Sequence, residues 1–346
     1  LPRLADEKLH NVLLVGPRQM GKSSLLNALG RRLPQRRDVL DVHRITLSDG
    51  NLLTSAARAR GQAAQSDSAD DAALFTLLAG ERERPRVWLI DEADALVTAS
   101  GWHGTARILR ALSEENRAHF VLAGFWSLYT AAALDTHSPL RNFGQTLRLG
   151  PLEREAARAL VTEPLAALGL LFEAPELADR LLDETGCRAN LLALCCDGLI
   201  RTLGPTDRML SRSQLDRVLS SYSPLLDELK YWRTSPVKSQ APLDRAVLRA
   251  ALLLRHRNEP ASAAAIRQQL QATGTRIPTE DYRQSLDRLE LGYLLIPEAP
   301  AEPASVDPRP RGLRCPVPLI AAAVSQEQDF AVGIADDLTD LADSST

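Results

Sequence analysis

Four residues in the stretch GPRQMGKSS, Gly16, Gly21, Lys22 and Ser23, have the types and spacing of a phosphate-binding turn. Only four lysines occur in a chain with 41 lysines and arginines together, so an ammonium between a glycine and two serines is conspicuous. In such a turn the glycines allow the backbone to fold tightly with its N–H groups pointing inward. The helix that follows presents its positive dipole end to an anion. On this reading Gly16, Pro17, Arg18, Gln19, Met20, Gly21, Lys22, Ser23 and Ser24 cradle a nucleotide, ATP or ADP. Lys22 reaches the β- and γ-phosphates and Ser23 ligates Mg²⁺. With this composition the pattern arises by chance in about one sequence per thousand.

A phosphate loop of this kind calls for a carboxylate at the end of a neighbouring strand, and VWLIDEAD supplies one. Asp91 follows four apolar residues and can hold Mg²⁺ through water, while Glu92 can polarise an attacking water. A strand ending in Asp-Glu is ordinary by itself; its pairing with the Gly-Lys-Ser turn gives it meaning. Asp94 reads as a helix-start residue with a capping role.

These residues need a scaffold that brings strand ends together. Apolar runs at 11–16, 39–47, 86–91, 119–124 and 146–150 read as strands alternating with helices. That pattern predicts an α/β core with a mostly parallel sheet covered on both faces. Helical periodicity continues from 151 to about 222 without strands, which predicts an all-helical unit over 151–233. The stretch TSPVKSQAP, 234–242, reads as a linker, and 243–325 as a third domain. Residues 326–346 carry only acidic charge, and from Asp329 they are expected to fray.

The chain has 346 residues, a formal charge of −3 and 45% hydrophobic residues. That balance fits a globular protein and excludes one that coats nucleic acid by charge over its whole surface. Cys187, Cys195, Cys196 and Cys315 form no CxxC pair, and no histidine stands at zinc-ligand spacing. They read as reduced thiols in a cytoplasmic protein. No apolar run approaches 18 residues and the first ten residues have no leader character, so no membrane is expected. The first residue is Leu rather than Met, which leaves open that the chain is a fragment of something longer.

Beyond the two motifs, SPLRNFGQTLRLGPLEREAARAL and TGCRANLLALCC complete a resemblance to the AAA-plus and STAND ATPases over about residues 11–325. The archaeal-ATPase and origin-recognition-like branch fits best. The resemblance implies a nucleotide site where an α/β core meets a helical lid, completed by an arginine from a neighbouring subunit. Arg141 matches the position of that finger, and its alternative reading is a surface arginine near a strand. Arg188 matches the lid's sensor arginine, or else is a solvated helix-start residue. The chain departs from the family after the fourth strand, where a polar sensor is usual. Phe125 and Trp126 stand there, with Ser127 nearest. It departs again at Ala189, which replaces a proline, and in the first ten residues, where no adenine-contacting segment is recognisable. Slow hydrolysis is the implied consequence.

From Leu243 the order of three short helices and GYLLIPE, with RGLRC as a returning strand, reads as a winged helix. Tyr282, Leu286 and Leu289 face its core and leave Glu280, Asp281, Arg283, Asp287 and Arg288 outside. Residues 243–315 hold eleven arginines against nine acids, with Arg309, Arg311 and Arg314 clustered. DNA contact and protein docking or self-inhibition both remain open there. The basic run 30–38 is a second patch or simply a solvated helix end. Three functions therefore stand: an ATP-driven switch or assembly ATPase that self-associates, a DNA-loading or remodelling ATPase, and a nucleotide binder without turnover.

Overall fold

The computed structural model describes residues 9–36, 40–47, 51–62, 71–204, 206–298 and 312–343. The chain divides into two units, Leu1–Leu149 and Gly150–Thr346. In the first, five strands, β1 (Val12–Val15), β2 (Asp41–Thr46), β3 (Arg86–Asp91), β4 (Ala118–Gly124) and β5 (Gln145–Arg148), form one sheet in the order β2-β3-β4-β1-β5. Every pairing is parallel. The central strands are buried along their whole length, as expected of strands covered on both faces. The expected α/β core and its five strands are therefore present, each within two or three residues of the predicted bounds.

Helix Lys22–Arg36 covers one face. Its Leu26, Leu29 and Leu33 recur at helical spacing and pack against Val12, Leu14, Val87, Leu89 and Val121. Because strand side chains alternate, Val87 and Leu89 put Asp91 on that same face. The helix starts immediately beyond the carboxyl end of β1. Burying these leucines thus fixes the first turn of the helix beside the end of β3.

The second unit is mainly helical, with one apolar core running from Ala157 to Leu338. Two short ribbons interrupt the helices where no strand was expected in the first of them: Leu171–Phe172 pairs in parallel with Met209–Leu210, and Ile296–Pro297 pairs in antiparallel fashion with Leu313–Arg314. The expected linker at 234–242 contains a 3₁₀ turn, Lys238–Gln240, that runs into helix Ala241–His256. That helix buries eleven of its residues, Asp244 and Arg249 among them.

Two expectations for this unit are corrected. The acidic carboxyl-terminal stretch does not fray: Phe330–Asp343 is a helix whose Ile334 and Leu338 are buried. Two of its acids, Asp337 and Asp340, have partners on helix Ala241–His256. Arg245 donates to Asp337 at 2.6 Å, and Arg249 Nε lies 3.1 Å from the other carboxylate oxygen, an ion pair without hydrogen-bond geometry. Burial raises the Asp337 carboxyl above its usual range, opposed by both arginines. Arg288 is likewise not outside. It is 3% exposed and donates from Nε and Nη2 to Asp244, at 2.7–3.1 Å, while Ser285 Oγ donates to the same carboxylate at 2.7 Å. A cation that helical periodicity assigns to solvent is drawn inward by a buried acid on another helix. Tyr282 and Leu289 are buried, as their spacing predicts.

Leu338→Ala should lower the stability of the second unit by about 2–5 kcal/mol in chemical denaturation, the usual cost of emptying a buried leucine site. A tail that merely frayed would leave the transition where it was.

Candidate functional site

The loop after β1 is tied into the sheet on both sides. Gly16 N donates to Gly124 O at 3.2 Å, and Leu149 N donates to Val15 O at 2.7 Å. A Cβ on Gly16 would stand 2.5 Å from Leu149 O, so no larger residue fits where the loop leaves the strand. Gly21 has φ +87°, a conformation that costs a side-chain-bearing residue dearly. The turn then opens into the helix at Lys22. The first turn of any helix leaves its N–H groups without intrahelical partners, and here these belong to Lys22, Ser23 and Ser24. Arg18, Gln19, Ser23 and Ser24 are exposed, Pro17 and Met20 buried.

Lys22 is 8% exposed, and its ammonium donates to the carbonyls of Gly16 and Pro17, both at 2.8 Å. Burial lowers its pKa; the charges of Glu92, Asp94 and Asp91 oppose that shift, and Arg18 adds to it. These groups are therefore close enough to act on one another electrostatically. Asp91 is buried at the end of β3, its Oδ1 accepting from Glu92 N at 3.1 Å and its Oδ2 standing 3.3 Å from Arg44 Nη2. Glu92 is exposed with φ +54°, an uncommon backbone for a non-glycine residue.

This arrangement suits a nucleotide polyphosphate with Mg²⁺. It combines a loop whose path requires glycine at 16 and 21, a buried ammonium that donates to two neutral carbonyls, and a desolvated carboxylate at the end of the neighbouring helix-covered face. Ser23 and Asp91 are the residues able to hold the metal, directly or through water.

Asp94 does cap a helix, though not its own. Ala93 holds the cap position of helix Asp94–Thr98, with no side-chain bond. The Asp94 carboxylate instead accepts from Phe125 N and Leu128 N, at 2.5 and 3.0 Å, and so closes the start of Trp126–Tyr129. A π-helix, Thr130–Leu134, follows directly. The segment where a polar sensor is usual is thus anchored from beneath by Asp94, with Trp126 buried and Ser127 half-buried.

Arg141 is exposed in the turn before β5, where its backbone carbonyl accepts from Arg110 Nη2 at 2.7 Å. Gln145 pairs with Val12, so this turn lies at the amino ends of the strands, while the phosphate loop follows Val15 at the opposite end. Four strand residues span about 10 Å, so Arg141 is remote from its own loop. In the second unit, Arg188 is 2% exposed, which overturns its reading as a solvated residue. Its guanidinium lies 4.4 Å from the Tyr231 ring centroid and donates to the Tyr231 hydroxyl, while Nε has no partner. Sequence reasoning missed Arg44 altogether, because an arginine in a strand at the edge of a sheet carries no motif.

A cleft of about 790 Å³ opens at the amino ends of the strands, lined among others by Asn11, Asn116, His119 and Gln145. Asn116 Nδ2 donates to Arg82 O, which leaves its Oδ1 to accept from His119 Nε2 at 2.9 Å. The imidazole is buried, and burial, with the charge of His10 as a lesser cause, pushes its pKa down to about 4. Its other nitrogen has no partner.

The four cysteines are free. Burial pushes the Cys196 and Cys315 thiols up to about 11. Among the described residues no helix is long and apolar enough to cross a membrane.

Residues 1–216 match the family described as novel STAND NTPase 1, and the chain belongs to it. A nucleotide-binding P-loop NTPase is the class that fold and site define. Among solved structures, the Walker-type ATPase PABY2304 of Pyrococcus abyssi is similar with TM-score 0.58 and 18% identity, covering 91% of this chain and 90% of that one. The ORC2 protein of Aeropyrum pernix, solved as ADPNP and ADP complexes, gives TM-score 0.52 at 14% identity over 92% and 88%. These likenesses show a shared fold. No curated protein matches in sequence.

A neutral buried His119 sets a pH dependence. Unfolded imidazole titrates near 6.5 and the folded one near 4, so the unfolded chain takes up the extra proton on acidification. The contribution is complete above pH 6.5 and is lost as pH falls toward 4, on the order of 3 kcal/mol. His119→Gln should flatten that part of the stability curve in denaturation at graded pH.

Proposed function

We propose that the chain is a Mg²⁺-dependent ATP-binding switch or assembly ATPase of the STAND type with slow turnover. The observation that carries this is the buried Lys22 ammonium facing a loop shaped for phosphate, with Asp91 on the same helix-covered face. Lys22 would exchange its two carbonyl partners for phosphate oxygens, a stronger, charge-assisted pairing. Bound Mg²⁺ would supply charge neutralisation at the transferred phosphoryl group. Glu92, exposed at the turn after Asp91, would orient water and accept its proton. Phe125 and Trp126 stand after β4 where a polar sensor is usual, with half-buried Ser127 the nearest polar side chain, which supports slow chemistry.

The helices from Gly150 onward, read as a lid followed by a winged helix, would be the parts that respond to nucleotide. Helices Ala241–His256, Ala263–Gln271 and Thr279–Leu291 precede the hairpin Ile296–Pro297 and Leu313–Arg314, the order a winged helix requires. Between DNA and protein as its partner, the charges favour protein. Of the two arginines on helix Thr279–Leu291, Arg288 is buried on Asp244, and Arg283 is engaged by Glu280 and Asp287. Neither is free for a phosphate backbone. Arg314 is exposed; Arg309 and Arg311 lie outside the described residues, as do 37 and 38 of the basic run.

Lys22→Ala should weaken binding of ATP with Mg²⁺ at least tenfold in a calorimetric titration, and unchanged affinity would overturn the site. Glu92→Gln should keep that affinity and lose most turnover.

Arg141, distant from its own loop, would serve a neighbour's nucleotide. Specific activity should then rise with protein concentration over a hundredfold range, and Arg141→Ala should lose hydrolysis while keeping affinity. Constant specific activity, with no rescue on mixing with the Glu92→Gln chain, would show that no arginine acts across subunits from this turn.

A further inference from the structure

Asp91 presents a charge problem before any ligand arrives. Its side chain is 4% exposed, and an ionised carboxylate so far from water needs a cation close by. Lys22 does not meet that need directly, since two of its three N–H groups are spent on Gly16 O and Pro17 O. The cation at hydrogen-bonding distance is Arg44.

Its position follows from strand register. Arg44 pairs with Leu89 and Thr46 with Asp91, so Arg44 is the diagonal neighbour of Asp91 on the sheet face that helix Lys22–Arg36 covers. From there Nη2 lies 3.3 Å from Asp91 Oδ2. The contact is long and single, where an arginine on a carboxylate can make two short parallel bonds, as Arg288 does on Asp244. About a third of the Arg44 side chain is exposed, on a strand at the edge of the sheet. A guanidinium held by one weak bond beside open solvent can leave without disturbing the core.

We propose that Arg44 is an internal counter-ion that stands in for the charge of the divalent cation at Asp91 and must be displaced when Mg²⁺ binds with nucleotide. Arg44 thereby sets the Mg²⁺ concentration at which the site loads. The proposal rests on the nucleotide reading given above and deepens it. A doubly charged ion outcompetes a monodentate guanidinium for the carboxylate, but only after breaking the existing pair. Paired with Arg44, the carboxylate is charge-balanced, and its metal affinity is lower than the carboxylate alone would provide. Arg44 touches no reacting atom in this scheme; it acts through Asp91 as a positioning residue.

The test is direct binding of a fluorescent ATP analogue at graded Mg²⁺, with no turnover read. Arg44→Gln should reduce the Mg²⁺ concentration for half-maximal enhancement at least threefold, with metal-free analogue affinity unchanged. Arg44→Lys keeps a charge at the same strand position and should fall between that variant and the parent; it also serves if the Gln variant is poorly folded. A midpoint that is unchanged or raised in both variants would overturn the proposal while leaving the nucleotide site intact. If the parent chain binds no analogue at any Mg²⁺ concentration, the nucleotide reading fails and the proposal with it.

Discussion

A buried ammonium on two backbone carbonyls organises the amino-terminal unit. Lys22 can be buried only because Gly16 and Pro17 turn their carbonyls inward, and the loop can turn so only because Gly16 passes Leu149 without a side chain and Gly21 adopts a positive φ. The helix that begins at Lys22 must then descend over one face of the sheet. Its leucines at 26, 29 and 33 anchor it there. An interaction of short range, lysine to loop, thus sets the direction of the longest helix in the unit and the face on which Asp91 becomes useful.

Electrostatic balance at the carboxyl ends of the strands follows from this. Asp91, Glu92 and Asp94 raise the Lys22 pKa that burial lowers, and each acid has its own structural engagement. Asp91 meets Arg44, and Asp94 binds the N–H groups of Phe125 and Leu128. Glu92 is left exposed at a turn with φ +54°. Three acids within four residues therefore separate into a buried carboxylate paired with an arginine, a solvent-facing carboxylate and a structural brace. What separates them is burial and the reach of neighbouring strands. The second unit applies the same economy, with Arg288 on Asp244 and Arg245 and Arg249 on Asp337 joining helices distant in sequence.

The phosphate loop, its acidic partner and the five strands were legible in the sequence because each depends on neighbours in the chain. Apolar runs bounded by turns specify strands, and GPRQMGKSS fixes the backbone chemistry of a turn within nine residues. Three features were decided only by the tertiary structure. Arg44 reaches Asp91 across two strands 47 residues apart. Arg288 is pulled inward by an acid on another helix, against the periodicity of its own. The acidic helix Phe330–Asp343, which composition alone marks as a fraying tail, is held by burial of Ile334 and Leu338 and by arginines some ninety residues earlier. Local pattern determines turns and amphipathic faces. The partner of a charge depends on which distant residue is brought within about 3 Å, and a buried charge left without one is strongly destabilising.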